Sequence, residues 1–281
     1  MLREGATLLD GTIGGGGHAA LAAQTFRESI SIIGLDMDEE ALVRSEEALK
    51  PFTSKFVLKH ENFRNLDKVL DELGQPLVDA IILDLGLSSN QLELSERGFS
   101  FKQNEPLLMT FKKEVGESDI TAREIVNEWA EESIADIIYG YGEEQFSRRI
   151  AKAIVEGRKE KPIETTDDLV EIIKKGTPFW YHFRKSHPAT KTFQALRIAV
   201  NDELQALQQG MEMGFERLNK DGRMAIISFH SLEDRLVKHF YRKQYDLGLA
   251  EITKKPIVPD EEEVKENPRS RSSKLRIIKK K

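Results

Sequence analysis

The sequence predicts an α/β fold, a mainly parallel sheet covered by helices and interrupted midway by a helical insert. Three observations carry that expectation. The first hundred residues alternate short β-branched runs with helical patterns, the strand signal vanishes from Gly98 to about Lys191, and the alternation returns after Thr192. At 281 residues the chain exceeds one usual compact domain. The expected division is a discontinuous domain of residues 1–101 and 191–281 around an inserted helical domain of residues 102–190.

Taken in order, strands are predicted at Thr7 to Asp10, Ser31 to Asp36, Lys55 to His60 and Asp79 to Leu85. Helices fall between them near Ala19 to Phe26, Glu39 to Leu49 and Leu66 to Leu73, with Pro51 and Gly74 as stops. The insert reads as helices near Thr121 to Trp129, Glu131 to Tyr139, Glu143 to Arg158 and Asp167 to Lys175. Thr165 with Asp168 forms a capping box for the last of these, and Gly176 ends it. Apolar residues from Phe193 to Leu218 recur every three or four positions, so one helix is expected over Thr192 to Asn219. Asp221-Gly222 then turns into a strand over Met224 to Ser228. Ser231 with Asp234 suggests a second capping box for a helix to Tyr241, and Ala250 to Val258 with Lys274 to Ile278 suggest a terminal antiparallel pair.

Composition excludes several classes. An apolar fraction of 39%, a charged fraction of 32% and no apolar run near 18 residues indicate a soluble globular protein without a membrane segment. The chain has no cysteine, which removes disulfides and thiolate-ligated metals, and its start shows no signal peptide, so a cytoplasmic setting is expected. The six histidines show no metal-ligand spacing, so no metal is expected. A net charge of -6 argues against a nucleic-acid partner on its face. Pro268 to Lys281, however, carries Arg269, Arg271, Lys274, Arg276 and three terminal lysines without an acid. That end reads either as a phosphate-binding element or as a frayed, solubilising tail.

The chemistry concentrates where strands end. Asp10 opens into Gly11-Thr12-Ile13-Gly14-Gly15-Gly16-Gly17-His18, a loop whose glycines bring backbone N–H groups to a helix N-terminus. Asp36 stands at the end of the second strand, where a carboxylate can accept hydrogen bonds from both ribose hydroxyls of an adenosine cofactor. Gly14, Gly16 and Ala19 also satisfy the dinucleotide fingerprint, so nicotinamide dinucleotide and S-adenosylmethionine both stay open at this point, as oxidoreductase and methyltransferase. The fourth strand runs out through Asp84-Leu85-Gly86-Leu87-Ser88-Ser89-Asn90-Gln91. A turn of small residues there admits a flat base, and Asp84 is either a reactive-site carboxylate or a structural cap or ion-pair partner.

Asp10 to His18, Asp84 to Gln91, Arg97 to Phe101, Tyr141 to Glu144, His187 to Ile198, Ser228 to Arg235 and Asn267 to Arg276 together resemble the RsmH (MraW) family of ribosomal RNA methyltransferases, block after block in the family's order. The resemblance implies a class I, Rossmann-like methyltransferase sheet with an inserted substrate-recognition domain. It also implies S-adenosylmethionine as donor and N4-methylation of a cytidine in the decoding region of bacterial 16S ribosomal RNA. By motif match, Gly16, Gly17 and His18 would receive the methionine end, Asp36 the ribose, and Phe63, Asp84 and Gln91 would line the adenine side. Asp84, Ser88 and Asn90 are the expected acceptors at the reacting amine, and His230 is expected to face the same crevice from the end of the fifth strand. Lys191, Arg197, Arg269, Arg271, Lys274 and Arg276 are the candidate RNA contacts. Trp180 reads as a packed aromatic, while Tyr181 and Phe183 offer possible stacking surfaces. The family pattern also differs in places. Its members carry a His-x-Pro-Val-Leu-like segment ahead of the first strand, and an Asp-Gly-Pro-Leu-Asp-Met-Arg-Met run where this chain has Asn104 to Phe111. Asn90 and Glu93 replace Pro and Asp.

Overall fold

The computed structural model describes residues 3–87, 95–112, 114–116 and 119–281, which form two compact units, Met1–Gly86 with Leu204–Lys281, and Leu87–Glu203. The first half of the sheet unit alternates β1 (Thr7–Asp10), α1 (Gly17–Phe26), β2 (Ser31–Asp36), α2 (Glu39–Leu49), β3 (Phe56–His60), α3 (Leu66–Glu72) and β4 (Val78–Asp84). β1 lies between β2 and β4, parallel to both, and its four residues are all buried. This is why Thr7 to Asp10 shows no in-out alternation: a parallel strand covered on both faces must be apolar throughout. β2 pairs in parallel with β3.

The helical unit holds α4 (Ala122–Glu128), α5 (Glu131–Gly140), α6 (Ser147–Glu160), α7 (Thr166–Gly176) and α8 (Thr190–Asn201). Thr165 caps α7 in the box expected with Asp168, and Thr121 with Glu124 does the same for α4. Its core is its own: Leu107, Ile125, Ile134, Ile138, Ile150, Ile154, Leu169, Ile173, Phe193 and Leu196. Phe99 joins that core, and the helical unit takes in the described residues 95–101 and 191–203, which the sequence division groups with the sheet. The altered segment belongs here too: the buried Glu105 carboxylate accepts from the Gly98 N–H at 2.8 Å, and Leu107 and Met109 are fully buried.

The single long helix expected over Thr192 to Asn219 is two. Asp202 adopts φ 50°, a left-handed conformation that ends α8, and α9 (Glu203–Glu216) starts afresh. Apolar periodicity continues across the break because both helices are amphipathic, so periodicity alone does not reveal it. β5 (Leu218–Ser228) starts earlier than expected; Asp221 (φ 65°) and Gly222 lie inside it as an irregularity in the pairing with β4.

The chain finishes with α10 (Ser231–Asp246), β6 (Ala250–Ile252), α11 (Glu261–Glu266) and β7 (Lys274–Lys280). β7 inserts antiparallel between β5 and β6, giving the order β3-β2-β1-β4-β5-β7-β6. The basic terminus is therefore an internal strand, with Ile278 fully buried, and not a frayed tail. Leu9, Ile81, Leu83, Leu207, Met211, Met224 and Tyr241 fill one face of the sheet; Ile13, Ala19, Ala23, Ile32 and Leu49 fill the other. Among the described residues, no helix is long and apolar enough to cross a membrane.

Candidate functional site

The strand order reverses direction at β1, and β4 lies on the far side of β1 from β2, so the carboxyl ends of β1 and β4 border the crevice where open α/β sheets take ligands. Asp10 pairs in register with Gly34 on one side and Ile82 on the other. Asp36 and Asp84 each stand two residues beyond those partners, so two carboxylates flank the turn that leaves β1. The turn is tied to both. Thr12 Oγ1 accepts from the Asp84 N–H at 2.6 Å, and the Gly14 N–H donates to Asp36 Oδ2 at 2.8 Å.

The glycines of the turn have different duties. Gly16 caps α1 at φ 80°, and a Cβ there would stand 3.0 Å from Ser45 Cα on α2. It is required by backbone and neighbour alike. Gly17 has nothing within 4 Å of where its Cβ would be, so it fronts open space at the helix N-terminus. A helix N-terminus left open in this way presents backbone N–H groups that attract anionic groups.

Burial sets the charge state of the three acids. Asp10 is 1% exposed. Its carboxyl is pushed up to about 7, chiefly by burial, which outweighs the hydrogen bond from the Thr12 N–H, with the Asp84 and Asp36 charges adding to the rise. Burial likewise raises Asp36 against the N–H bonds from Asp38 and Gly14. Those bonds occupy only part of its lone-pair capacity, so the carboxylate keeps further acceptor capacity. Burial raises Asp84 as well; His18 opposes this and Glu233 adds to it. Among the described residues, Asp84 Oδ1 is buried without a hydrogen-bond partner, which is costly unless a partner is supplied.

His230 and Glu233 correct the expected capping register. His230, not Ser231, is the N-cap of α10. Its Nδ1 accepts from the Glu233 N–H, and the Glu233 carboxylate accepts from the Phe229 and His230 N–H groups. His230 Nε2 is buried, 3.2 Å from Glu233 Oε1 but outside hydrogen-bond geometry. Asp234, expected in the box, instead binds Arg276 at 2.7 Å and Lys274 at 2.9 Å. Sequence reasoning passed over Glu233 because Ser-x-x-Asp is the commoner box and sits one residue later. It also gave no role to Asp10 itself, whose only signal was an acid ending a fully buried strand.

The remaining expected residues scatter. Phe63 is half-buried, its ring seated on α9, where a Gly210 Cβ would come within 2.6 Å of Phe63 Cδ2. Ser88, Asn90 and Gln91 lie outside the described residues. Arg197, expected at phosphate, is held by Glu203 through two hydrogen bonds of 2.8 and 2.9 Å, and Arg276 is buried against Asp234, so both do structural work. Lys191 Nζ donates to the Glu143 carbonyl at 2.6 Å. Arg269 and Arg271 are exposed on the turn before β7. Trp180, expected to be packed, is 58% exposed, whereas Tyr181 is buried.

A dinucleotide-binding sheet runs 3-2-1-4-5-6 and must accommodate a diphosphate; this one interposes a reversed β7 and crowds its crevice with carboxylates, which favour a cationic ligand. Those features define a class I methyltransferase dependent on S-adenosylmethionine. The chain belongs to the MraW methylase family, whose model matches residues 1–281. It is 43% identical over 296 residues to ribosomal RNA small subunit methyltransferase H of Brevibacillus brevis, covering 99% of this chain and 93% of that protein. The protein of the same name from Persephonella marina is 46% identical over 277 residues, covering 98% and 93%. Among solved structures, an rRNA methylase from Streptococcus thermophilus is similar with a TM-score of 0.46 at 13% identity, covering 99% of this chain and 89% of that one.

Proposed function

We propose that this chain methylates the N4 amine of a cytidine in the decoding region of bacterial 16S ribosomal RNA, with the helical unit taking part in substrate recognition. Family membership and relatives named for small-subunit ribosomal RNA support the RNA class. The observation that carries the chemistry is Asp84, a buried carboxylate at the end of β4 with one oxygen that has no hydrogen-bond partner among the described residues. S-adenosylmethionine supplies an electrophilic methyl on a sulfonium.

The residues then divide the work. Gly17 leaves the α1 N-terminus open to a carboxylate, and Asp36 accepts from ribose hydroxyls. A positive ligand in the crevice favours ionised carboxylates, so occupancy pulls Asp84 and Asp10 toward their charged forms. Ionised Asp84 can accept a hydrogen bond from the target amine, drawing its lone pair out of conjugation with the ring and holding it in line. Ser88 and Asn90, next along the chain, are the proposed further acceptors.

Labelled S-adenosylmethionine, small subunits lacking this modification and nucleoside mapping of the product test the reading together. N4-methylcytidine at one position is expected, and Asp84→Ala should abolish it while S-adenosylhomocysteine still stabilises the fold. Product on another base or atom would move the assignment. Tight RNA binding with no transfer at all would favour a silent assembly protein, to which the departures at Asn104 to Phe111 point.

A further inference from the structure

The segment Lys174 to Lys191 holds Lys174, Lys175, Arg184, Lys185 and Lys191, plus His182 and His187, with no acid, in a chain whose net charge is -6. At its centre a short 3-10 turn, Phe179–Phe183, exposes three large rings: Phe179 at 76%, Trp180 at 58% and Phe183 at 73%. Monomeric proteins seldom leave such rings side by side in water without use.

The turn is anchored, which makes the exposed rings a fixed platform. Tyr181 points inward and donates its hydroxyl to the buried Glu144 carboxylate at 2.5 Å. Its ring meets Phe146 edge-on at 5.1 Å, and Trp180 meets Phe146 at 6.0 Å. His182 Nε2 lies 3.0 Å from Thr177 Oγ1. Cations rim the rings: Arg184 lies over the Tyr181 ring, Arg149 over Phe146, and Lys174, Lys175 and Lys185 are exposed alongside in sequence.

Resting on the ribosomal RNA reading above, we infer that the Phe179–Phe183 turn is a binding site for unpaired RNA bases, which stack on Trp180 and Phe183 while Arg184, Lys185 and Arg149 meet the flanking phosphates. Charge complementarity favours this occupant. Aromatic faces interleaved with cations, and no acid in the segment, suit a polyanion whose bases are splayed out. A lipid surface or a protein partner is the competing occupant.

The probe is a single-stranded RNA oligonucleotide of the decoding-region sequence, set against its duplex and against phosphatidylglycerol vesicles. Single-stranded RNA should quench the emission of exposed Trp180. The double variant Trp180→Ala, Phe183→Ala should bind it about 25-fold more weakly or worse, each lost base stack being expected to cost about 5- to 150-fold. Trp180→Phe should restore most of the affinity, and S-adenosylhomocysteine binding and melting temperature should be unchanged, since both rings are largely solvated. Equal RNA affinity in the double variant, in a chain that still methylates subunits, overturns this site alone. Wild-type chain that neither binds nor methylates ribosomal RNA overturns the functional reading and this inference with it. Vesicle binding lost in the double variant, with RNA binding intact, reassigns the patch to lipid and also overturns it.

Discussion

Gly16 and Gly17 are adjacent and serve opposite ends of the problem. Gly16→Ala puts a side chain at φ 80° and drives its Cβ against Ser45, so it should cost roughly 1–2 kcal/mol from the backbone alone. Gly17→Ala meets only open space; its melting temperature should stay near wild type while S-adenosylhomocysteine affinity measured by calorimetry falls. The opposite pattern would place the ligand elsewhere. Asp10 poses the electrostatic counterpart. Its folded carboxyl titrates at about 7 against 3.8 ordinarily, so the native state binds the proton more tightly than the unfolded chain, and stability falls as pH rises between those values. The shift corresponds to roughly 4 kcal/mol in order of magnitude. Urea midpoints of the unliganded protein should therefore decline from pH 4 to 7. Asp10→Asn should shrink that slope, leaving the smaller same-sign contributions of Asp36 and Asp84, and should be more stable than wild type near pH 8. A slope unchanged by Asp10→Asn would show that the carboxyl is already ionised.

Among elements, β7 carries the most unexpected role. Its Arg276 is buried and its partner Asp234 belongs to α10; with Lys274, which pairs with the same carboxylate, it ties the terminal strand to the helix over the sheet. Burial alone would raise the Asp234 carboxyl, but hydrogen bonds from Arg276 and Lys274 outweigh it and hold it below the ordinary range. That tie is present above the unfolded carboxyl value and is lost as pH falls through the lower folded one. Asp234→Ala strands a buried guanidinium and should cost about 3 kcal/mol in urea unfolding at pH 7, with much less lost in an Arg276→Met background. Equal losses in both backgrounds would reduce the pair to a surface contact. The strand over Lys274 to Ile278 and its antiparallel pairing with the Ala250 segment were legible beforehand; its place beside β5 and its tie to Asp234 were not, because cations in a sequence read as solvated whether they end in water or against an acid. The first half was more transparent. Thr7 to Asp10, Ser31 to Asp36 and Glu39 to Leu49 fold over the residues expected, since a covered parallel strand and an acid-capped helix announce themselves locally. Where local rules tie, as between the His230 and Ser231 boxes, or where a left-handed Asp202 breaks a continuous apolar stripe, the sequence holds both answers and tertiary contacts choose.

At the scale of the molecule, the two units have hydrophobic cores that share no residue. Every described residue proposed here for the donor or the reacting amine, from Gly16 to Asp84, lies in the sheet unit. Ligand binding stabilises only what must unfold to release it, by about 2.7 kcal/mol at a hundredfold excess over Kd. With S-adenosylhomocysteine at that excess, amides of β1, β2, β4 and β5 that exchange by unfolding of the sheet unit should slow about a hundredfold. Amides in α5, α6 and α7, closed by Ile138, Ile154 and Ile173, should keep their rates. Equal slowing in both units would show that the cores unfold as one despite their separate membership. Slowing by a nicotinamide dinucleotide and none by S-adenosylhomocysteine would remove the donor assignment, because the crevice at the ends of β1, β2 and β4 would then hold a diphosphate in place of a sulfonium.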